Sequence, residues 1–69
     1  MIVYDPFWKT IKEKNISTYY LIQKCKVSSS TLARLRKNLP ITTVTMDDLC
    51  RILQCQIQDI ARYEQDEKY

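Results

Sequence analysis

Residues 28–37, in which hydroxyl side chains are followed by basic ones, form the segment best suited to hydrogen bonding and charge recognition. Three serines and a threonine come first, then Arg34, Arg36 and Lys37, and no acidic residue interrupts the run. Hydroxyl groups both donate and accept hydrogen bonds, and an arginine guanidinium can donate two parallel hydrogen bonds to one partner. The segment therefore suits recognition of a polar, negatively charged surface such as a nucleic acid.

Two short helical patterns, with about four residues between them, must position this segment. Ser17 is a good N-cap for a helix over about 18–24, and Ser28 caps the next helix over about 29–37. A helical wheel of the second pattern places Leu32 and Leu35 on one side and Ser30, Ala33, Arg34 and Lys37 on the other. A helix–turn–helix with such an outward face predicts insertion of its second helix into a DNA major groove.

The distribution of charge supports a nucleic-acid partner more than the modest net charge of +3 does. Residues 1–40 carry eight basic and two acidic residues, a net charge of +6, whereas residues 41–69 carry three basic and six acidic residues, a net charge of −3. Such a basic pole is typical of nucleic-acid binders, although solvated charges of this kind also occur on other small helical proteins.

The composition argues against several other classes of protein. The 69 residues make one domain, 1–69, with a core over about 5–63 followed by a polar tail, and they leave no room for a catalytic domain. We expect no enzyme, metal or cofactor, because histidine is absent and the three cysteines form no C-x-x-C pair. We expect these cysteines to be small buried hydrophobes: Cys25, Cys50 and Cys55. We expect a cytoplasmic protein, because we find neither a signal peptide nor an apolar run near the roughly 18 residues of a membrane span.

Three further helical patterns complete a predicted all-α fold of five helices. Asp5-Pro6 begins the first helix, with Asp5 as its candidate cap, and Asn15 suits a left-handed cap at its end. A loop over 38–44 leads to the fourth helix, whose start we predict at Thr45. The apolar positions of a short fifth helix are Ile57, Ile60 and Tyr63.

Apolar and capping residues recur at characteristic spacings from the second helix onward: Ile16-Ser17, Leu21-Ile22, Val27-Ser28, Thr31-Leu32, Leu35, Thr45, Leu49, Ile52-Leu53, Ile57 and Ile60. Over about residues 5–63 this pattern resembles the lambda-repressor-like DNA-binding domains, the Cro/cI-type or XRE helix–turn–helix family. The chain departs from the family pattern at Thr18, Ile22 and Lys26, where Gln, Ala and Gly are usual. The resemblance implies a small stand-alone transcriptional regulator that acts as a repressor.

Insertion of the third helix into the major groove assigns roles to three sets of residues. The candidates for base contacts are Ser29, Ser30, Thr31, Ala33 and Arg34. The candidates for contacts to the DNA backbone are Thr18, Tyr19, Lys37, Asn38, Thr42 and Thr43. The family binds DNA as two-fold dimers, and the candidates for a homodimer contact are Ile57, Ile60 and Tyr63.

Each assignment has a structural alternative. Thr31 can bond back within the first turn of its helix, Arg36 can pair internally with Glu13 or an acid of helix four, and the dimer candidates can simply close the monomer core. A second function is also open, because the Tyr19-Tyr20 pair and the acidic tail suit a protein partner, as in an antitoxin or adaptor.

Overall fold

The computed structural model describes residues 1–65, so residues 66–69 of the predicted tail lie outside the described residues. The described chain forms four α-helices, one 3₁₀ turn and a two-stranded antiparallel sheet. In chain order these are β1 (Ile2–Val3), α1 (Asp5–Glu13), α2 (Thr18–Gln23), α3 (Ser29–Arg36), α4 (Thr43–Leu53), the 3₁₀ turn (Ile57–Asp59) and β2 (Arg62–Tyr63). The fold is mostly helical, and the predicted all-α architecture does not include the two-stranded sheet.

The predicted fifth α-helix is wrong. Its first residues form only the 3₁₀ turn, and the chain then extends into β2, which pairs with β1. Ile2 lies opposite Tyr63, and Val3 lies opposite Arg62. A helix of so few residues is only marginally stable by itself, and the antiparallel pairing supplies the backbone hydrogen bonds that the segment needs.

Serine caps begin both helices of the helix–turn–helix, as predicted. The Oγ of Ser17 accepts a hydrogen bond from the Tyr20 amide at 3.0 Å, and the Oγ of Ser28 accepts one from the Thr31 amide at 3.1 Å. These bonds satisfy amides that have no partner within the first helical turn. Both helices end one residue earlier than predicted, at Gln23 and Arg36.

Two predicted helix starts shift in the structure. The α4 helix begins at Thr43 and not at Thr45, because the Thr42 Oγ1 accepts a hydrogen bond from the Thr45 amide at 3.1 Å. Asp5 is the first residue of α1, and its N-cap is Tyr4, whose side chain does not cap the helix. The Asp5 carboxylate still lies in the first turn of α1, where the helix dipole favours negative charge.

Within residues 1–65, four residues outside the helices adopt left-handed backbone conformations, and the chain has no glycine to supply them. They are Asn15, Lys26, Asn38 and Gln54, with φ between 51° and 62°. Asn15 was predicted in this role. Lys26 takes it in the turn between α2 and α3, where a residue with a Cβ atom pays roughly 1 kcal/mol or more.

The core lies where the four helices and the C-terminal segment meet. Its fully buried side chains are Phe7, Leu21, Leu32, Leu35, Leu49 and Ile60. Trp8 packs against this core, half-buried, with its ring edge-on to Phe7 at 4.9 Å between centroids. Because α3 contributes two of these leucines, its rotation about its own axis is fixed, and so is the face that it turns to solvent.

Candidate nucleic-acid interface

The outward face of α3 carries the small and basic side chains that its sequence predicts. Leu32 is 2% exposed, whereas Ser30, Ala33 and Arg34 on the opposite side are all exposed. Lys37, which caps the helix C-terminus, is exposed as well. Cations in the last turn also stabilise the helix by interacting with its dipole.

The hydroxyl groups at the start of α3 form a small cluster. The Ser28 Oγ lies 2.9 Å from the Thr31 Oγ1 and 3.1 Å from the Ser30 Oγ, in addition to its bond with the Thr31 amide. Thr31 is half-buried and bonded within its own first turn, so its hydroxyl is already engaged. Ser29 and Ser30 are exposed at the end of the helix that approaches base edges in helix–turn–helix complexes.

The Arg34 side chain lies beside the loop that follows α3. One of its terminal nitrogens, Nη1, donates a long hydrogen bond of 3.4 Å to the Pro40 carbonyl. A guanidinium has five N–H donors, so this contact orients the group and leaves donors for a second partner. Thr31 and Arg34 border an open cleft of about 430 Å³ together with Thr42 and Thr45. The cleft thus joins base-contact candidates on α3 to a backbone-contact candidate at the start of α4.

Arg36 contacts an aromatic ring and does not form the ion pair considered from the sequence. Its guanidinium carbon lies 5.2 Å from the centroid of the Trp8 ring, within the range of a cation–π interaction. None of the salt bridges in the described part of the chain involves Arg36. Sequence reasoning missed this contact because its two partners lie on different helices, 28 positions apart.

The candidates for backbone contacts fall into exposed and internally bonded groups. Tyr19, Lys37 and Thr43 are exposed, and Thr18 is half-buried. Thr42 is exposed too, but its hydroxyl caps α4.

Asn38 has a structural bond that its sequence position did not reveal. Its Oδ1 accepts a hydrogen bond from the Tyr4 amide at 3.0 Å, and its side chain is half-buried. The amide oxygen therefore ties the end of α3 to the N-terminal segment.

Two of the three dimer candidates are exposed and one is not. Ile57 and Tyr63 are largely exposed, whereas Ile60 is fully buried in the core and unavailable to a partner. An apolar groove of about 700 Å³ lies between the sheet, the α3–α4 loop and α4. The apolar side chains along it include Ile2, Ile41, Met46, Ile57 and Tyr63.

The cysteines are half-buried around the core, less completely than predicted. Burial raises the pKa of the Cys55 thiol, and the neighbouring Cys50 and Asp59 raise this pKa further, against a smaller opposing effect of Lys14. Residues 1–65 contain no group of three or more His, Cys, Asp or Glu side chains that could hold a metal ion. Over the same residues, no helix has the length and apolar character needed to cross a membrane.

Comparisons with known proteins agree with this architecture. A family model described as a Cro/C1-type HTH DNA-binding domain matches residues 7–66. The crystal structure of the transcriptional regulator VanUg, form II, superposes with a TM-score of 0.83 at 26% sequence identity, covering 94% of this chain and 87% of that one. A search among curated proteins finds no match. The chain belongs to the Cro/C1-type helix–turn–helix family, which is a family of DNA-binding domains and not a class of enzymes.

Proposed function

We propose that this protein is a sequence-specific regulator of transcription, acting as a repressor, that inserts α3 into the major groove of double-stranded DNA. The observation that carries the proposal is the outward face of α3, which is small and hydroxylated at its start and cationic at its end, opposite a buried leucine stripe. Small side chains let the helix approach the bases, and cations at its end meet phosphates.

Sequence is read by the exposed first turns of α3. Ser29 and Ser30 bond to base edges, Ala33 contacts a thymine methyl group, and Arg34 donates two hydrogen bonds to guanine. Thr31 has a smaller part in this reading, because it is half-buried as well as bonded to Ser28, whereas Ser30 is exposed.

The DNA backbone is held by residues on either side of α3. Lys37 and Thr43 meet phosphates after the helix, and Thr18 and Tyr19 do so from α2. Asn38 and Thr42 contribute through the groups that their internal bonds leave available. These contacts set the position and orientation of the protein on DNA, whatever the sequence.

The protein acts as a homodimer on a near-palindromic site, with half-sites about one helical turn (~34 Å) apart. The exposed Ile57 and Tyr63 border the apolar groove, so projecting side chains and a depression that can receive them lie on one surface. A two-fold interface needs such self-complementarity. We expect a cytoplasmic location, where a regulator of this kind meets its DNA.

A protein-interaction module remains the second candidate function. Tyr19 and Tyr20 are both exposed on α2, and exposed tyrosines are frequent in protein interfaces. The salt dependence of duplex binding separates the two functions. Neutralisation of about five phosphates would make log K fall with log salt at a slope near −4.5.

The experiment that tests the main proposal removes the Arg34 side chain. Arg34→Ala should weaken binding to the preferred duplex by about 1–3 kcal/mol and relax the preference at one base pair. The control is Arg51→Ala. Arg51 carries the same charge, is exposed in the last turn of α4 and pairs with Asp48. Unchanged affinity and preference in Arg34→Ala would contradict the assignment.

A further inference from the structure

Tyr4 connects the N-terminal segment to the end of α3 through two hydrogen bonds. The residue is 3% exposed and lies between β1 and α1. Its amide donates to the Asn38 Oδ1 at 3.0 Å, and its hydroxyl donates to the Leu39 carbonyl at 2.9 Å. One buried residue, through its backbone amide and its side-chain hydroxyl, thus bonds to two consecutive residues that lie 34 and 35 positions away in the sequence.

The segment that Tyr4 fixes also contacts Arg34 at two points. The Leu39 amide donates to the Arg34 carbonyl at 2.9 Å, which closes the end of α3. The next carbonyl in the chain, that of Pro40, accepts from the Arg34 Nη1 at 3.4 Å. The backbone and the guanidinium of Arg34 are therefore both held by residues 39 and 40, and the Leu39 carbonyl is held by the Tyr4 hydroxyl.

We infer that Tyr4 is a positioning residue for base recognition: its hydroxyl fixes the loop that orients the Arg34 guanidinium. The inference rests on the proposed function, in which Arg34 reads a base. An arginine held in one orientation loses less side-chain freedom on binding than one that samples several, so it discriminates between bases more sharply. Removal of the hydroxyl leaves the Leu39 carbonyl without this partner and lets the loop carrying Pro40 relax.

The test is a double-mutant cycle with Tyr4→Phe and Arg34→Ala. Each variant is measured on the preferred duplex and on a duplex changed at the base pair whose preference Arg34→Ala relaxes. We expect Tyr4→Phe to reduce discrimination at this base pair about threefold to tenfold when Arg34 is present, and less than about twofold in the Arg34→Ala background. The salt slope of binding to unrelated DNA should stay unchanged, because no phosphate contact is removed.

Thr10→Val provides a matched control for loss of a hydroxyl bond. The Thr10 Oγ1 donates to the Asp59 carbonyl at 2.7 Å, a bond of the same chemical type between α1 and the 3₁₀ turn. This variant should lower the melting temperature and leave base discrimination unchanged. If Thr10→Val reduced discrimination as much as Tyr4→Phe does, general destabilisation would explain the effect and the inference would fail.

The other outcomes distinguish this inference from the proposed function. Equal losses from Tyr4→Phe in both Arg34 backgrounds, or no loss in either, would overturn the positioning role while leaving base reading by Arg34 in place. A wild-type protein with no sequence preference would overturn the proposed function, and the positioning role with it.

Discussion

Truncation of Leu32 tests which face of α3 is held in the core. The side chain is 2% exposed and belongs to the cluster of fully buried residues. Replacement by alanine removes buried methyl groups and leaves a cavity, which costs about 2–5 kcal/mol. A chain of 69 residues has a total stability of about 3–10 kcal/mol, so this one change removes a large share of it.

Urea unfolding followed by fluorescence provides the assay, because the single tryptophan, Trp8, packs against the core. Leu32→Ala should lower the free energy of unfolding by at least about 2 kcal/mol. In a thermal scan, a domain of this size loses about 4–8 °C per kcal/mol. Val44→Ala is the control, since Val44 is 70% exposed on α4 and its truncation should change stability by no more than about 0.5 kcal/mol.

A loss below about 1 kcal/mol in Leu32→Ala would refute the reasoning. It would mean that α3 does not anchor its leucine stripe in the core. The outward face assigned to DNA would then have no fixed orientation.

Three smaller perturbations test other parts of the structure. Ser28→Ala removes the cap bonded to the Thr31 amide and should cost about 1 kcal/mol in urea unfolding, with a loss near zero showing that the cap is dispensable. Arg36→Gln removes the cation from the Trp8 ring and should cost about 0.5–1 kcal/mol, a loss that should vanish in a Trp8→Leu background. Because burial raises the pKa of the Cys55 thiol above its ordinary value, iodoacetamide should alkylate this thiol more slowly in the folded protein than in urea at pH 8. The folded protein should also lose stability as the pH rises through the unfolded pKa of the thiol. Equal alkylation rates in the two states would contradict this assignment.

Local signals in the sequence predicted the helix–turn–helix well. The sequence predicts Ser17 and Ser28 as caps because a cap bonds to an amide only three residues away, so the whole interaction lies within one short segment. Leu32 and Arg34 were assigned to opposite sides of α3 by helical periodicity, and the structure has them there. The left-handed conformation of Asn15 also follows from its place at a helix end.

Features that depend on distant parts of the chain could not be predicted in this way. Ile2 pairs with Tyr63, and no local pattern marks two-residue strands that are so far apart in the sequence. Thr42 and Thr45 are both suitable caps, and the choice between them depends on how α4 packs. The place of Asn38 after a basic helix predicts a phosphate contact, but it does not reveal the bond from the Tyr4 amide, a group that only the tertiary structure brings near.

Selection of bound duplexes from a random DNA library at near-physiological salt tests the central claim most directly. We expect enrichment of a two-fold symmetric sequence whose half-site centres lie about 10 bp, or a multiple of that, apart. Arg34→Ala protein in the same selection should lose its preference at one position in each half-site. Recovery of no preferred sequence, with only weak and salt-sensitive binding, would contradict sequence-specific regulation by α3 and direct attention to a protein partner.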